Sequence, residues 1–217
     1  MKSLLIFDLD GTLLNTIADM AMATNFALSQ CGFPTHEADK YRFFIGNGIN
    51  KLFERVLPEG NKTQEKIATL RYHFLEYYGS HNIELTVPYP EIPELLENLQ
   101  KKGVRLAVAS NKYQFGTEKL VQHFFPEIKF DVVFGQREGI PTKPDATIIN
   151  DILEITKTNK SEVLYIGDSG VDMQTAQNGG VEACGVTWGF RPLSEIESFS
   201  PKYIVDNPSD IFDLAFQ

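Results

Sequence analysis

The sequence predicts an α/β fold: an open parallel sheet covered by helices on both faces, interrupted after its first strand by an all-helical block. Three observations predict it. Apolar runs of strand length recur at Leu4–Phe7, Arg105–Ala109, Val132–Gly135 and Val163–Ile166, as expected of parallel strands buried on both faces. Stretches of helical periodicity alternate with the later runs. Residues 16–85, by contrast, carry helical periodicities and no strand run.

Taken in order, Leu4-Leu5-Ile6-Phe7 is an unbroken apolar strand that ends at Asp8. In the block that follows, Ile49–Val56 is apolar-periodic, and Ile67, Leu70, Phe74 and Tyr78 share one helical face. Pro88-Tyr89-Pro90 stiffens the return to the sheet. Ile92–Lys102 places Leu95, Leu96 and Leu99 on one face, with Gly103 as its stop. Pro144-Asp145 marks a helix start, and Ile148, Ile149, Ile152 and Leu153 form the apolar face of that helix. No internal repeat is visible. The division this implies is a core of residues 1–15 and 86–217, with residues 16–85 as a separate helical cap.

The composition is that of an ordinary globular protein: 217 residues, 42% hydrophobic and 23% charged. No apolar run is long enough to cross a bilayer, and Met-Lys-Ser leads straight into the first strand. A cytoplasmic location is therefore expected. Cys31 and Cys184 are too few for a disulfide framework and lack metal-type spacing. Twenty basic against twenty-nine acidic residues give a net charge of −9, which argues against nucleic acid or an anionic membrane as partner. If such a chain binds a phosphate, it must build a local positive site against its own field, and a bound cation would do so. Nothing in the chain specifies a number of subunits.

Four short segments carry chemistry. In Asp8-Leu9-Asp10-Gly11-Thr12 the two carboxylates point to one side of an extended chain, at the strand end where open α/β sheets bind ligands. Taken alone, the pair would serve equally as turn or cap residues. In Ser110-Asn111-Lys112 the hydroxyl and following amides can donate to phosphate, although Ser110 could equally cap the next helix. In Thr142-Lys143-Pro144 prolines on either side present an ammonium rigidly, which suits neutralising phosphate charge. In Gly167-Asp168-Ser169-Gly170-Val171-Asp172, Asp168 is a hard-oxygen ligand suited to magnesium. Asp172 could ligate as well, or hold Lys143; a helix cap is the alternative for these acids.

In that order, on successive sheet elements, the four segments resemble the motifs of the haloacid dehalogenase superfamily over residues 4–210. The resemblance implies a Rossmann-like parallel sheet core with an inserted all-helical cap, and a division of roles. Asp8 would be the nucleophile and Asp10 the general acid and base. Gly11, Thr12, Ser110, Asn111 and Lys143 would bind the transferring phosphoryl group. Asp8, the backbone carbonyl of Asp10, and Asp168 would hold Mg2+, supported by Asp172 and Ser169. Asp10 favours phosphatase chemistry within the superfamily, since dehalogenating members lack an acid there.

The run Tyr41-Arg42-Phe43-Phe44-Ile45-Gly46-Asn47-Gly48, with Ser-Asn-Lys, Pro-Thr-Lys-Pro and Thr187-Trp188-Gly189-Phe190-Arg191, looks like the phosphoglycolate phosphatase branch. It implies a small phosphorylated substrate whose carboxylate meets Arg42 and the Gly46-Asn47-Gly48 amides, with Lys51 a further candidate. Asn15-Thr16 departs from the Asp-Ser or Asp-Thr common at the lid hinge, and Trp188 and Phe190 could touch substrate or simply pack. A phosphosugar mutase of the beta-phosphoglucomutase kind would use the same aspartyl-phosphate. Related pyrophosphatases more often carry Gly-Pro-Pro at the lid turn. A receiver-like switch domain would lack both the second acid and the long helical block.

Overall fold

The first strand is wholly buried, as its unbroken apolar run requires. The computed structural model describes residues 1–217. Its elements run β1 (Leu4–Phe7), β2 (Leu14–Asn15), α1 (Ile17–Gln30), α2 (Tyr41–Phe44), α3 (Ile49–Val56), α4 (Gln64–His81), β3 (Val87–Pro88), α5 (Ile92–Lys101), β4 (Arg105–Tyr113) and α6 (Gln114–Phe124). They continue with β5 (Phe130–Gln136), α7 (Thr147–Thr156), β6 (Val163–Gly167), α8 (Gly170–Gly179), β7 (Glu182–Val186), α9 (Leu193–Ser198), β8 (Tyr203–Val205) and α10 (Pro208–Ala215).

Six strands form one parallel sheet in the order β5-β4-β1-β6-β7-β8. The α/β prediction holds. The chain leaves β1 for β4 on one side and later returns to β6 on the other, so β1 lies at the switch point, where such sheets bind ligands. Phe7 pairs with both Val108 and Ile166. This register brings Asp8, Ser110 and Asp168 to one carboxyl edge.

Period-two alternation divides the sheet's side chains between two cores. Leu5, Phe7, Leu106, Val108 and Ile166 pack beneath α5 and α10 with Leu96 and Ile211. Leu4, Ile6, Ala107 and Tyr165 pack on the opposite face with Ile149, Ile152 and Met173. A third cluster joins the helices of residues 16–85: Met20, Leu28, Tyr41, Leu52, Phe53, Leu70, Phe74 and Tyr78 are all buried there. Phe190 is the buried residue from outside those helices that joins it, and Tyr113 packs against it.

The structure departs from the sequence expectation at three places. β4 continues to Tyr113, beyond its apolar run, and carries Ser110, Asn111 and Lys112 as buried polar residues, the last two hydrogen-bonded to partners far along the chain. α7 begins at Thr147, since Lys143 to Ala146 first make a turn in which Asp145 N–H donates to the Thr142 carbonyl. The antiparallel ribbon of β2 and β3, which pairs Leu14 with Pro88 and Asn15 with Val87, joins the two crossings between sheet and helical block. Two-residue strands are too short to leave a pattern. A buried Asp19 fastens the return crossing by accepting from Leu85 N–H at 3.0 Å, Thr86 N–H at 2.9 Å and the Thr86 hydroxyl at 2.7 Å. No helix is long and apolar enough to cross a membrane.

Candidate active site

At the end of β1, Gly11 turns the backbone with φ +97°, and a Cβ there would lie 2.3 Å from Asp168 Oδ2. The turn keeps Asp8 and Asp10 together yet gives them different neighbours. Lys143, 3% exposed, donates to Asp8 Oδ1 at 2.9 Å, Asp172 Oδ1 at 2.7 Å, the Ala109 carbonyl at 2.9 Å and the Tyr165 hydroxyl at 3.1 Å. Asp10 instead receives Lys112 Nζ at 2.9 and 3.1 Å and the Thr16 hydroxyl at 2.7 Å.

The acids of β6–α8 are held from behind. Phe190 N–H donates to Asp168 Oδ2 at 2.7 Å, and the Thr12 hydroxyl donates to Asp168 Oδ1 at 3.5 Å. Ser169 caps α8 in a reciprocal box with Asp172, whose Oδ2 accepts from the Ser169 hydroxyl at 2.5 Å. The capping alternative therefore applies to Ser169 and Asp172, and Asp168 is left facing Asp8. Oxygens of Asp8, Asp168 and Asp172 lie within 4.8 Å of one another.

One ammonium among three buried carboxylates leaves surplus negative charge, and its effects are consistent. Burial, reinforced by Asp172, raises Asp8 well above the ordinary carboxylate range despite Lys143. Burial, again with Asp172, raises Asp168 to about 7. Burial works against the charge on Lys143, but Asp172 and Asp8 outweigh it and hold the ammonium well above its usual pKa. On Lys112, likewise, Asp10 outweighs burial.

A cleft of about 460 Å³, counted out to its solvent mouth, opens above Asp8 and Asp10. Ser110, Asn111, Lys112 and Tyr113 line its sheet side; Met20, Ile45, Gly46, Gly48, Ile49, Leu52 and Phe74 line the other. Ser110 is not a helix cap: α6 starts only at Gln114, and Ser110 Oγ accepts from Lys112 N–H at 3.1 Å. Asn111 turns its amide sideways, accepting from Lys143 N–H at 2.8 Å and donating to the Lys143 carbonyl at 3.1 Å and the Gly46 carbonyl at 3.0 Å.

Not every sequence candidate reaches the cleft. Arg42 is exposed and absent from its lining. Asn47 accepts from Arg55 Nη2 at 2.7 Å, and Lys51 pairs with Glu54 at 2.6 Å. Trp188 and Phe190 pack: the Trp188 indole donates to the Thr12 carbonyl at 3.1 Å, and Phe190 joins the helical cluster. Asn15 stands in the β2–β3 ribbon, and the Thr16 next to it reaches Asp10.

Sequence reasoning missed the role of Lys112, which lies where the pairing of β4 with β5 is irregular, so strand alternation does not place it. It also missed Tyr165, whose hydroxyl donates to Asp172 Oδ1 at 3.2 Å from within an apolar run. Arg191 is another side chain whose partners the sequence does not reveal. It donates to the Ile45 carbonyl at 2.8 Å and to the Arg42 carbonyl, while Lys119 donates to the Gly79 carbonyl at 2.7 Å. With Asn111, these two side chains reach from the sheet unit to the backbone of the helical block.

The four motifs thus converge at the switch point of a parallel sheet, the first two lining the cleft and Lys143, Asp168 and Asp172 gathered around Asp8. Residues 5–186 match the family model of the haloacid dehalogenase-like hydrolases, and the chain belongs to that family. It is 32% identical over 210 residues to a phosphoglycolate phosphatase from Aquifex aeolicus, covering 97% of this chain and 95% of the relative. It is 31% identical to one from Vibrio parahaemolyticus, covering 98% and 95%. A crystal structure from Lactobacillus delbrueckii, provisionally named as a phosphoglycolate phosphatase, superposes with a TM-score of 0.90 at 30% identity over 99% of both chains.

Proposed function

We propose that the protein is a magnesium-dependent phosphatase that hydrolyses a small phosphomonoester, 2-phosphoglycolate above all, through an aspartyl-phosphate on Asp8. The observation that carries this reading is the different company of two acids two residues apart. Asp8 lies on Lys143 among carboxylates, and Asp10 lies on Lys112 and Thr16, at the same cleft. The names of the relatives support the substrate.

The donor set fits magnesium: Asp8, Asp168 and Asp172 offer hard oxygens with more negative charge than Lys143 offsets. Asp8, Asp168 and the Asp10 carbonyl would hold the ion, with Asp172 in support. Bound there, it supplies the charge that lets a carboxylate approach a phosphate dianion. Ser110 and Lys143 bind the phosphoryl oxygens. A carboxylate oxygen of Asp8 forms a bond to phosphorus as the ester P–O bond breaks, and the departing alkoxide takes the proton of Asp10. Asp10, now ionised, takes a proton from water as that water attacks phosphorus. The bond to Asp8 then breaks, and inorganic phosphate leaves. Residues 16–85 act as a lid that excludes bulk water during the first step.

Rapid acid quench during turnover of 2-phosphoglycolate with magnesium, followed by proteolysis and mass spectrometry, should find phosphate on Asp8. Full turnover by Asp8→Asn would overturn the mechanism. A preference of at least roughly tenfold, or about 1.4 kcal/mol, for a sugar phosphate or pyrophosphate would overturn the substrate while leaving the mechanism standing.

A further inference from the structure

We infer that Lys112 determines specificity by receiving the substrate's carboxylate beside Asp10, an inference that rests on the 2-phosphoglycolate reading above. The helical side of the cleft offers no charge: Met20, Ile45, Ile49, Leu52 and Phe74 are apolar, and Gly46 and Gly48 add only backbone. Arg42 does not line it. An anionic leaving group therefore needs its cation from the sheet side, where Lys143 is taken up by Asp8, Asp172 and, in the proposed reaction, the phosphoryl group.

Lys112 is placed for this. It is 7% exposed and lines the cleft alongside Ser110. An ammonium has three donors. Two lie on the oxygens of Asp10, and Nζ also meets Met20 Sδ at 3.6 Å, a weak acceptor that a carboxylate would displace. The Tyr78 ring, 5.1 Å from Nζ, steadies the charge from the far side.

Substrate chemistry supplies the spacing. In 2-phosphoglycolate one methylene separates the ester oxygen from the carboxylate carbon. With the ester oxygen against Asp10, the carboxylate must fall within about one side-chain contact of it, where Lys112 stands. Recognition and leaving-group protonation would then be set by neighbouring groups, so a substrate bound by its carboxylate is also aligned for cleavage.

The test compares 2-phosphoglycolate with ethyl phosphate. Both have alkyl leaving groups that need a proton, and only the first has a carboxylate. Wild-type enzyme should favour 2-phosphoglycolate in kcat/KM, and Lys112→Met should lower that ratio roughly thirtyfold, the worth of one charge-assisted hydrogen bond in a dry site. A role confined to steadying Asp10 would slow both alkyl esters alike and leave the ratio unmoved, which would overturn the inference and spare the proposed function. Because deleting a buried cation beside Asp10 can prevent folding, Lys112→Gln, whose amide can still donate to Asp10, decides by the same ratio. A wild-type ratio of one or below would overturn the substrate reading, and this inference with it.

Discussion

Replacing Lys143 with Met removes one charge while keeping a long, flexible, apolar side chain, so little packing is lost. What remains is Asp8, Asp168 and Asp172 buried around an ammonium's former place. Deleting one partner of a buried ion pair costs about 3–5 kcal/mol. At this chain length each kcal/mol moves the melting midpoint by roughly 2–4 °C, so the metal-free variant should melt about 6–20 °C below wild type at pH 8. The deficit should depend on pH. Asp8 and Asp168 have folded pKa values raised by burial and Asp172, the latter to about 7, so the folded state holds more protons than the unfolded one. Metal-free stability is therefore lost as pH climbs from the ordinary carboxylate value of about 4 through about 7. Lys143, with its pKa raised, stays protonated at both pH 5 and pH 8, so the pH dependence of the deficit comes from the acids around it. At pH 5 protonation of Asp8 and Asp168 relieves part of the surplus charge, and the deficit should be smaller. Thermal melts in EDTA at the two pH values, followed by circular dichroism, measure this directly. Equal deficits at both pH values, or a deficit under about 1 kcal/mol at pH 8, would refute the charge-balance argument.

Asp10→Asn should lower turnover of alkyl phosphates by about two to four decades and that of p-nitrophenyl phosphate much less; equal losses would exclude a proton-transfer role. Gly189→Ala would put a Cβ 2.2 Å from Asp168 Cβ and 2.5 Å from the Gly11 carbonyl. The magnesium concentration for half-maximal activity should then rise by roughly tenfold or more, and an unchanged titration would show that the position of Asp168 is not critical. Arg42→Ala should leave kcat/KM for 2-phosphoglycolate within about threefold of wild type, because the side chain is exposed and off the cleft. A tenfold or greater fall confined to carboxylate-bearing esters, about 1.4 kcal/mol, would return the substrate contact to Arg42.

The sheet was legible because parallel strands buried on both faces must be apolar throughout, and β1, β4 and β6 announce themselves that way. The face of α4 was legible for the matching reason, since Ile67, Leu70, Phe74 and Tyr78 are its buried residues. The grouping of Asp8, Lys143 and Asp172 followed from strand ends and a proline-fixed turn. What the chain concealed was partnership between polar residues distant in sequence. Lys112 meets Asp10 across 102 positions, and Asn111 joins Gly46 to Lys143 across 65 and 32. A lysine in a strand looks like surface until the fold buries it. Arg42 is the converse case: a guanidinium beside a glycine turn has the chemistry of an anion site whichever way it points, and here it is exposed and off the cleft lining.

Asn111, Lys119 and Arg191 all cross to the helical block, and each ends there on a main-chain carbonyl: Gly46, Gly79, and Arg42 with Ile45. A side-chain acceptor is erased by one codon change, whereas a carbonyl is supplied by whichever residue fills the position. The wall residues Met20, Ile49, Leu52 and Phe74 can therefore change without cutting any of these three ties, within the packing limits of the helical cluster that Met20, Leu52 and Phe74 also fill. Docking of the block and the shape of the pocket are thus separately heritable. A lineage with this architecture can reshape the pocket by point mutation at the wall and keep the three ties throughout.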